Sequence, residues 1–208
     1  MEKIRTIIVD ENHPLFDREK MLYKEFSSDY RLIRYYTKIL IQKAPPVIKE
    51  HNLMEQQISE IIKNAIKHGN KKDPVKTIKV WYLFKPEEVR LIVEDQGEGF
   101  KEIEKWNDFH RKKDECFYSG DIMKMAEYVS YRGENSSDED GGNALFAAVE
   151  YWNMGVVFND NRNVVAIELK SVRPNSGEMR GEKQKILTSK AFLGRQYPGK
   201  NIFYYVGF

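Results

Sequence analysis

The clearest pattern along the chain is helical: apolar residues recur every three or four positions from residue 47 or 53 to residue 68. One side of this helix is apolar and comprises Ile58, Ile61, Ile62 and Ala65. Glu60, Asn64 and Lys67 follow one another at i, i+4 and i+7, so they share the opposite side. The pattern predicts a helix that packs on a core and presents a carboxylate, an amide and an ammonium group together. A solvated helix surface is the alternative.

A hairpin and an acidic glycine loop are predicted directly after this helix. Residues 77–83 and 89–94 are rich in β-branched and aromatic side chains, and a polar turn joins them. Asp95 falls where the second strand ends. Gly97 and Gly99 let the backbone turn tightly and let a ligand approach closely. A simple turn after a strand is the alternative for this loop.

The remaining periodic segments predict an α+β fold. Helical spacing covers residues 30–43 and ends at two prolines, and an apolar run through residue 154 predicts another helix. Further strands are predicted at residues 5–10, 156–158 and 164–169. Together these elements predict a two-layer sandwich with helices on one face of a mixed, mostly antiparallel sheet. Residues 11–25 are polar and carry no predicted element.

Two segments lie outside this regular pattern. Residues 101–140 are highly charged, contain a predicted helix at 121–131 and end in an acidic, flexible stretch. They are expected to form a lid over a ligand, with a surface insertion as the alternative. We expect residues 1–170 to form one domain and residues 171–208 to form a C-terminal extension docked on it, with an edge strand at 202–206.

Composition narrows the class of protein. The formal net charge is only +2 over 208 residues, so the composition does not indicate a strongly basic, nucleic-acid-binding surface. No direct nucleic-acid partner is therefore expected. Cys116 is the single cysteine, which rules out an internal disulfide and fits a reducing compartment. No apolar run is long enough for a signal peptide or a membrane span, so we expect a cytoplasmic protein without membrane association.

The two motifs, in this order and with a hairpin between them, resemble the histidine-kinase-like ATPase superfamily with its Bergerat nucleotide-binding fold. Glu60, Asn64 and the alanine after it match the superfamily's asparagine box, and Asp95, Gly97 and Gly99 match its first glycine box. The resemblance covers roughly residues 29–170. It is strongest to the histidine-kinase and anti-sigma-factor kinase branches.

A third glycine box is present but altered. Gly141 and Gly142 stand before a predicted helix, where free backbone N–H groups can meet phosphate. Asn143 and Ala144 replace the leucine and the last glycine of the small anti-sigma kinases. If the position of Ala144 requires a positive φ, the substitution costs about 1 kcal/mol and weakens nucleotide binding. A glycine linker that merely starts a helix is the alternative.

The resemblance implies ATP and Mg²⁺ as cofactors and assigns a role to each motif. Asp95 would accept a hydrogen bond from the adenine amino group, and Asn64 would coordinate Mg²⁺. Glu60 would be the catalytic base for attack on the γ-phosphate, and Lys67 would offset phosphate charge. The remaining predicted nucleotide contacts are Gly97, Gly99, Gly141, Gly142 and Asn143.

A free-standing domain of this size best resembles the anti-sigma-factor serine kinases. The resemblance therefore implies a regulatory kinase that phosphorylates a serine or threonine of an antagonist protein and also contacts a sigma factor. A homodimer is compatible with it. Two alternatives stay open: a non-catalytic nucleotide-binding or protein-interaction module, and a histidine-kinase-like domain that acts in trans.

Overall fold

One mixed sheet organises the part of the chain that the computed structural model describes, namely residues 6–49, 52–133, 136, 142–152 and 155–169. In these residues the sheet has six strands in the order β1-β5-β6-β4-β3-β2. The strands are β1 (Ile8–Val9), β2 (Leu22–Ser27), β3 (Thr77–Lys85), β4 (Glu88–Glu94), β5 (Gly155–Phe158) and β6 (Val164–Leu169).

The strand pairing agrees with the predicted hairpins. β3 and β4 pair antiparallel from Lys79–Glu94 to Lys85–Glu88, and β5 pairs antiparallel with β6. β4 also pairs antiparallel with β6, which brings the two hairpins side by side. The parallel pairing of β1 with β5 makes the sheet mixed. The predicted mixed, mostly antiparallel sheet is therefore confirmed.

Helices pack on one face of the sheet and form the main core. They are α1 (Ile33–Ile41), α2 (Pro46–Lys49), α3 (Asn52–Asn64), α4 (Ile103–Ser119), α5 (Ile122–Met125) and α6 (Ala144–Tyr151). The central helix is α3, which contacts both α1 and α6. Its apolar side meets sheet residues such as Ile78, Val80 and Leu91, all fully buried. The predicted α+β arrangement of helices on a sheet is confirmed at this level.

The opposite face of the sheet is covered by the N-terminal segment that the sequence left unassigned. Leu15 packs in a second buried cluster with Ile92 and Val157. Arg90, on β4, holds the segment by donating hydrogen bonds to the backbone carbonyls of Pro14, Leu15 and Asp17. This segment also contains β2, which was not predicted because its side chains are mostly exposed on both faces.

The region expected to be a lid begins with a long core helix. α4 spans residues 103–119, whereas the sequence predicted a helix at 121–131, where the structure has only α5 and a short 3₁₀ turn. Ile103 and Trp106 are each 1 % exposed, so the start of α4 belongs to the core. The apolar spacing of α4 is masked in the sequence by its many charged residues.

Several sequence expectations fall outside the described residues. These include the C-terminal extension at 171–208 with its expected edge strand, and the acidic stretch before the third glycine box. Within the described ranges, none of the helices combines the length and the apolar character that crossing a membrane requires.

Candidate functional site

The polar side of α3 is arranged as the sequence predicts. Ile58 and Ile62 are fully buried on the core side, while Glu60 and Asn64 are half-buried on the other. Glu60 forms an ion pair with Lys63, with 3.2 Å between the carboxylate and the ammonium nitrogen. About a third of the Glu60 side chain stays exposed at 31 %. Glu60 is therefore accessible to a ligand or a water molecule.

The regular helix ends at Asn64, and a π-helical turn, Ala65–Gly69, continues it. The wider turn rotates Lys67 away from the i+7 position that a regular helix would give it relative to Glu60. The predicted extent of the helix, to residue 68, is therefore correct, but its last turn is π-helical rather than α-helical. Such π turns occur frequently at functional sites. Here the turn ends against the acidic glycine loop.

Asp95 lies directly against this turn. Its carboxylate fills the space that a side chain at Gly69 would need, because an added Cβ there would overlap the carboxyl group. Gly97 in turn packs on the Gly69 backbone, where a Cβ would meet the carbonyl. The sequence analysis expected Gly97 to allow a tight turn and the close approach of a ligand. The structure adds that both glycines permit close approach between the turn and the loop.

The Asp95 carboxyl group has an altered acidity. Burial raises its pKa to about 6 from 3.8, partly opposed by the Gly97 N–H, which donates a hydrogen bond of 2.8 Å to Oδ1. Lys76 and Lys71 also lower the pKa by their positive charge. Among the described residues, the second oxygen, Oδ2, accepts no hydrogen bond. It is thus left to accept one from a ligand.

Asn70 holds the loop in place, and the sequence analysis missed it. Its side chain is fully buried, and its amide nitrogen donates to the Ser28 hydroxyl at 2.5 Å and to the Thr77 carbonyl at 2.8 Å. Its amide oxygen accepts from the Gln96 N–H at 2.6 Å. One side chain thereby joins two strands to the acidic loop. The available signal was an asparagine directly after the glycine that ends the helix.

Replacing Asn70 by Ala should lower the free energy of unfolding by about 2–4 kcal/mol, because it removes three hydrogen bonds of a buried side chain, one of them to the buried Ser28 hydroxyl. Chemical denaturation would measure the loss. The exposed Asn161 provides the control, since Asn161→Ala removes an amide without a buried network and should change stability by less than about 0.5 kcal/mol. Equal losses in the two variants would contradict this role.

Gly99 anchors the far end of the acidic loop. It has a φ of +79° and lies so close to the Asn161 carbonyl that a Cβ would overlap it. The following residue, Phe100, donates its N–H to the Arg162 carbonyl at 3.0 Å. The sequence analysis expected a ligand to approach Gly99 closely, but in the structure the turn between β5 and β6 occupies that place.

The structure describes part of the third glycine box, namely Gly142 and Asn143. Gly142 has a φ of +64° and packs against the backbone of Tyr131, whose N–H donates a hydrogen bond of 3.2 Å to the Gly142 carbonyl. Asn143 precedes α6 as its N-cap residue, and Ala144 is the first residue of that helix. The expected strain at Ala144 is absent, because the positive φ falls on Gly142 instead. Gly141 lies outside the described residues.

The structure therefore brings only some of the predicted site residues together. Asp95, Gly97 and the turn that carries Lys67 form one contiguous group, to which Asn64 is joined through the chain. Gly142 contacts the end of the expected lid rather than Asp95. A cavity of about 320 Å³ lies elsewhere, between α4 and α5, and none of the predicted site residues lines it.

A second cluster was not predicted from the sequence. His110 and Asp114 of α4 and Glu150 of α6 are 1 %, 0 % and 5 % exposed. One ligand atom from each lies within 4.8 Å of the others. His110 and Asp114 are separated by four residues, a spacing that could have been recognised in the sequence. Glu150 is distant in sequence, and only the folded structure brings it close to them. The three residue types are suited to holding a metal ion.

Comparison with known proteins gives one local similarity. No protein-family model matches the chain. A stretch of 53 residues is 58 % identical to the Type II restriction enzyme MjaII of Methanocaldococcus jannaschii. The match covers 26 % of this chain and 14 % of that enzyme, so the similarity involves a small part of each protein.

This similarity corrects the functional expectation. The predicted serine/threonine kinase function of the anti-sigma type is wrong, because the relative that shares these 53 residues is named as a restriction enzyme and not as a protein kinase. The motifs implied kinase chemistry by resemblance alone. Mg²⁺ remains compatible with a restriction enzyme and with the acidic and histidine groups present.

Proposed function

We propose that this chain is a Mg²⁺-dependent adenine-nucleotide-binding domain of the histidine-kinase-like fold that serves a DNA-restriction function. The observation that carries the proposal is Asp95. Its carboxylate is half-buried against Gly69, one oxygen is fixed by the Gly97 N–H, and the other can accept a hydrogen bond. A fixed carboxylate acceptor selects a base with an amino group, as adenine has, over one with a carbonyl.

The arrangement of elements supports the same fold. α3, the β3–β4 hairpin and the acidic loop follow each other in the order that the superfamily resemblance implies, and a further helix and hairpin complete the sheet. The close packing of Gly97 on Gly69 explains why both positions are occupied by glycine. Burial of the Asp95 carboxyl group disfavours its charged form, and a ligand that hydrogen-bonds to the carboxylate would offset this cost.

The residues around the helix end suit the phosphates and the metal. Asn64 offers a side-chain oxygen to Mg²⁺, and Lys67 in the π turn offers a positive charge to the phosphates. Glu60, one turn before Asn64, can accept a proton from a water molecule. Gly142 and Asn143 at the start of α6, with Gly141 beside them in sequence, would meet the far phosphates. Bound Mg²⁺ would neutralise phosphate charge.

The link to DNA restriction rests on the relative. MjaII is named as a restriction enzyme, and the shared stretch is 58 % identical. We therefore place this domain in a restriction enzyme or beside one, where nucleotide binding regulates or drives an action on DNA. The possible partners are then a nuclease subunit or a second copy of this chain, rather than a sigma factor.

Isothermal titration calorimetry with Mg·ATP tests the nucleotide site. The wild-type chain should bind Mg·ATP in the micromolar range and Mg·GTP at least about tenfold more weakly. Asn64→Ala should weaken Mg·ATP binding by at least about tenfold, because the metal loses a protein ligand. Gln56→Ala removes an exposed amide from the same helix and is the matched control. Absence of binding at millimolar ATP would refute the proposal.

A second candidate function is direct DNA cleavage by this chain, favoured by its relative and by the His110, Asp114 and Glu150 cluster. The burial of all three side chains argues against it, since a DNA phosphate would have to enter the core. Incubation of plasmid DNA with the chain and Mg²⁺, with and without ATP, separates the candidates. Cleavage without nucleotide that Asp114→Asn abolishes and Asn64→Ala spares would favour direct cleavage.

A further inference from the structure

The buried cluster of α4 and α6 has the make-up of a metal site distinct from the nucleotide site. His110 and Asp114 project from the same side of α4, with 3.9 Å between the imidazole Nε2 and the carboxylate Oδ2. Glu150 reaches them from α6, and one ligand atom of each residue lies within 4.8 Å of the other two. These three residues are called the α4–α6 cluster below.

Burial makes the composition of the cluster unusual. Its three side chains are at most 5 % exposed, and carboxylates so deeply buried are normally paired or bound to a metal. Lys113 is one nearby cation, with its ammonium nitrogen 4.2 Å from the centre of the Phe146 ring, and it is attracted by both carboxylates. A metal ion held between the imidazole and the two carboxylates would also offset their negative charge.

Aromatic rings enclose the cluster and orient the imidazole. The His110 ring lies 5.1 Å from the Trp106 ring and 5.4 Å from the Phe146 ring, measured between centroids. This wall keeps the local dielectric constant low, which strengthens the attraction between a cation and the carboxylates. It also restricts rotation of His110, so the ligand geometry is largely formed in advance.

We propose that the α4–α6 cluster binds one first-row divalent transition-metal ion, with Zn²⁺ as the reference ion. One imidazole and two carboxylates are ligands that zinc accepts, whereas magnesium prefers oxygen ligands alone. Zinc bonds of about 2.0–2.2 Å bring ligand atoms to roughly 3.5 Å from each other, so the widest pair would move inward by about 1 Å. Side-chain rotation of Glu150 is the simplest way to close that gap.

The location gives the ion a structural consequence. α4 follows the acidic loop closely, and α6 begins directly after Gly142 and Asn143. The chain between these two helices, residues 120–143, includes the last part of the segment expected to form a lid. A metal ion bound to His110, Asp114 and Glu150 would join α4 to α6. The ion would thus stabilise the fold around the segment without touching DNA or nucleotide.

Metal content and thermal stability test the proposal on the full chain after removal of metals. We expect one Zn²⁺ per chain by calorimetry and elemental analysis, and a rise in Tm of roughly 5 °C or more at about 100-fold excess over Kd. Glu150→Gln and His110→Gln should abolish both effects. Glu115→Gln, which removes an exposed carboxylate from α4, should retain both and is the matched control.

A spectroscopic readout keeps the test independent of the folding of the variants. Co²⁺ added to the wild-type chain should give visible absorption bands of a nitrogen and oxygen site without a thiolate charge-transfer band, which excludes Cys116 as the ligand. Failure to bind either ion would overturn the proposal. Zn²⁺ binding that His110→Gln and Glu150→Gln leave unchanged would also overturn it. Neither result depends on whether ATP binds.

Discussion

Gly69→Ala is expected to lower the free energy of unfolding by about 3 kcal/mol. The added Cβ would overlap the Asp95 carboxyl group, and Gly97 packs on the backbone of Gly69. The π turn and the acidic loop would have to separate, which also disrupts the hydrogen bond from Gln96 to Asn70. Nucleotide binding should be lost together with stability. Chemical denaturation and Mg·ATP calorimetry measure the two effects.

Gly120→Ala provides the comparison for this prediction. Gly120 ends α4 with a φ of +72°, but a Cβ there would meet no atom within 4 Å. The substitution should therefore cost only the backbone strain of about 1 kcal/mol and leave nucleotide binding unchanged. If Gly69→Ala were no more destabilising than Gly120→Ala, the contact between Gly69 and Asp95 would not hold the loop.

Local periodicity was sufficient to predict the elements that build the site. The buried side of α3, the β3–β4 hairpin and the position of Asp95 at the end of β4 all follow from residue types at fixed spacings. These features depend on neighbours in sequence, and tertiary packing reinforced them. The general α+β class followed from the order of the elements.

Features that depend on long-range contacts could not be predicted in the same way. β2 lacks alternation because its side chains are mostly exposed, so only its pairing with β3 reveals it. Asn70 acts through partners 26 and 42 residues away, Gln96 and Ser28. The π turn at Ala65–Gly69 has no propensity signal and arises where the helix meets the acidic loop.

The kinase assignment failed for a different reason. The resemblance assigned Glu60 and Asn64 to a nucleotide site, and such a motif does not specify which group accepts the phosphate. The acceptor was inferred from the size of the chain and a family resemblance, neither of which is a property of the site. Similarity to a restriction enzyme supplied information that Glu60, Asn64 and Asp95 do not contain.

Asp95→Asn is expected to stabilise the folded chain while it removes nucleotide binding. Burial raises the pKa of Asp95 to about 6, above its ordinary 3.8, so the ionised carboxylate is disfavoured in the folded state. Asparagine keeps an oxygen for the Gly97 N–H and carries no charge. At pH 7 the variant should gain up to about 3 kcal/mol of unfolding free energy. Mg·ATP affinity should fall by at least about tenfold, because the adenine amino group meets an amide nitrogen.

The pH dependence identifies the cause of this gain. Between about pH 4 and pH 6 the folded wild type binds more protons at Asp95 than the unfolded chain, so its stability decreases as pH rises through this range. Asparagine does not titrate, so the advantage of the variant should grow from near zero below pH 4 to its full value above pH 6. Denaturation curves of both proteins at several pH values measure this difference. A constant difference across the range would show that the substitution acts through packing. It would contradict the inference that burial disfavours the charged form of Asp95 in the folded chain.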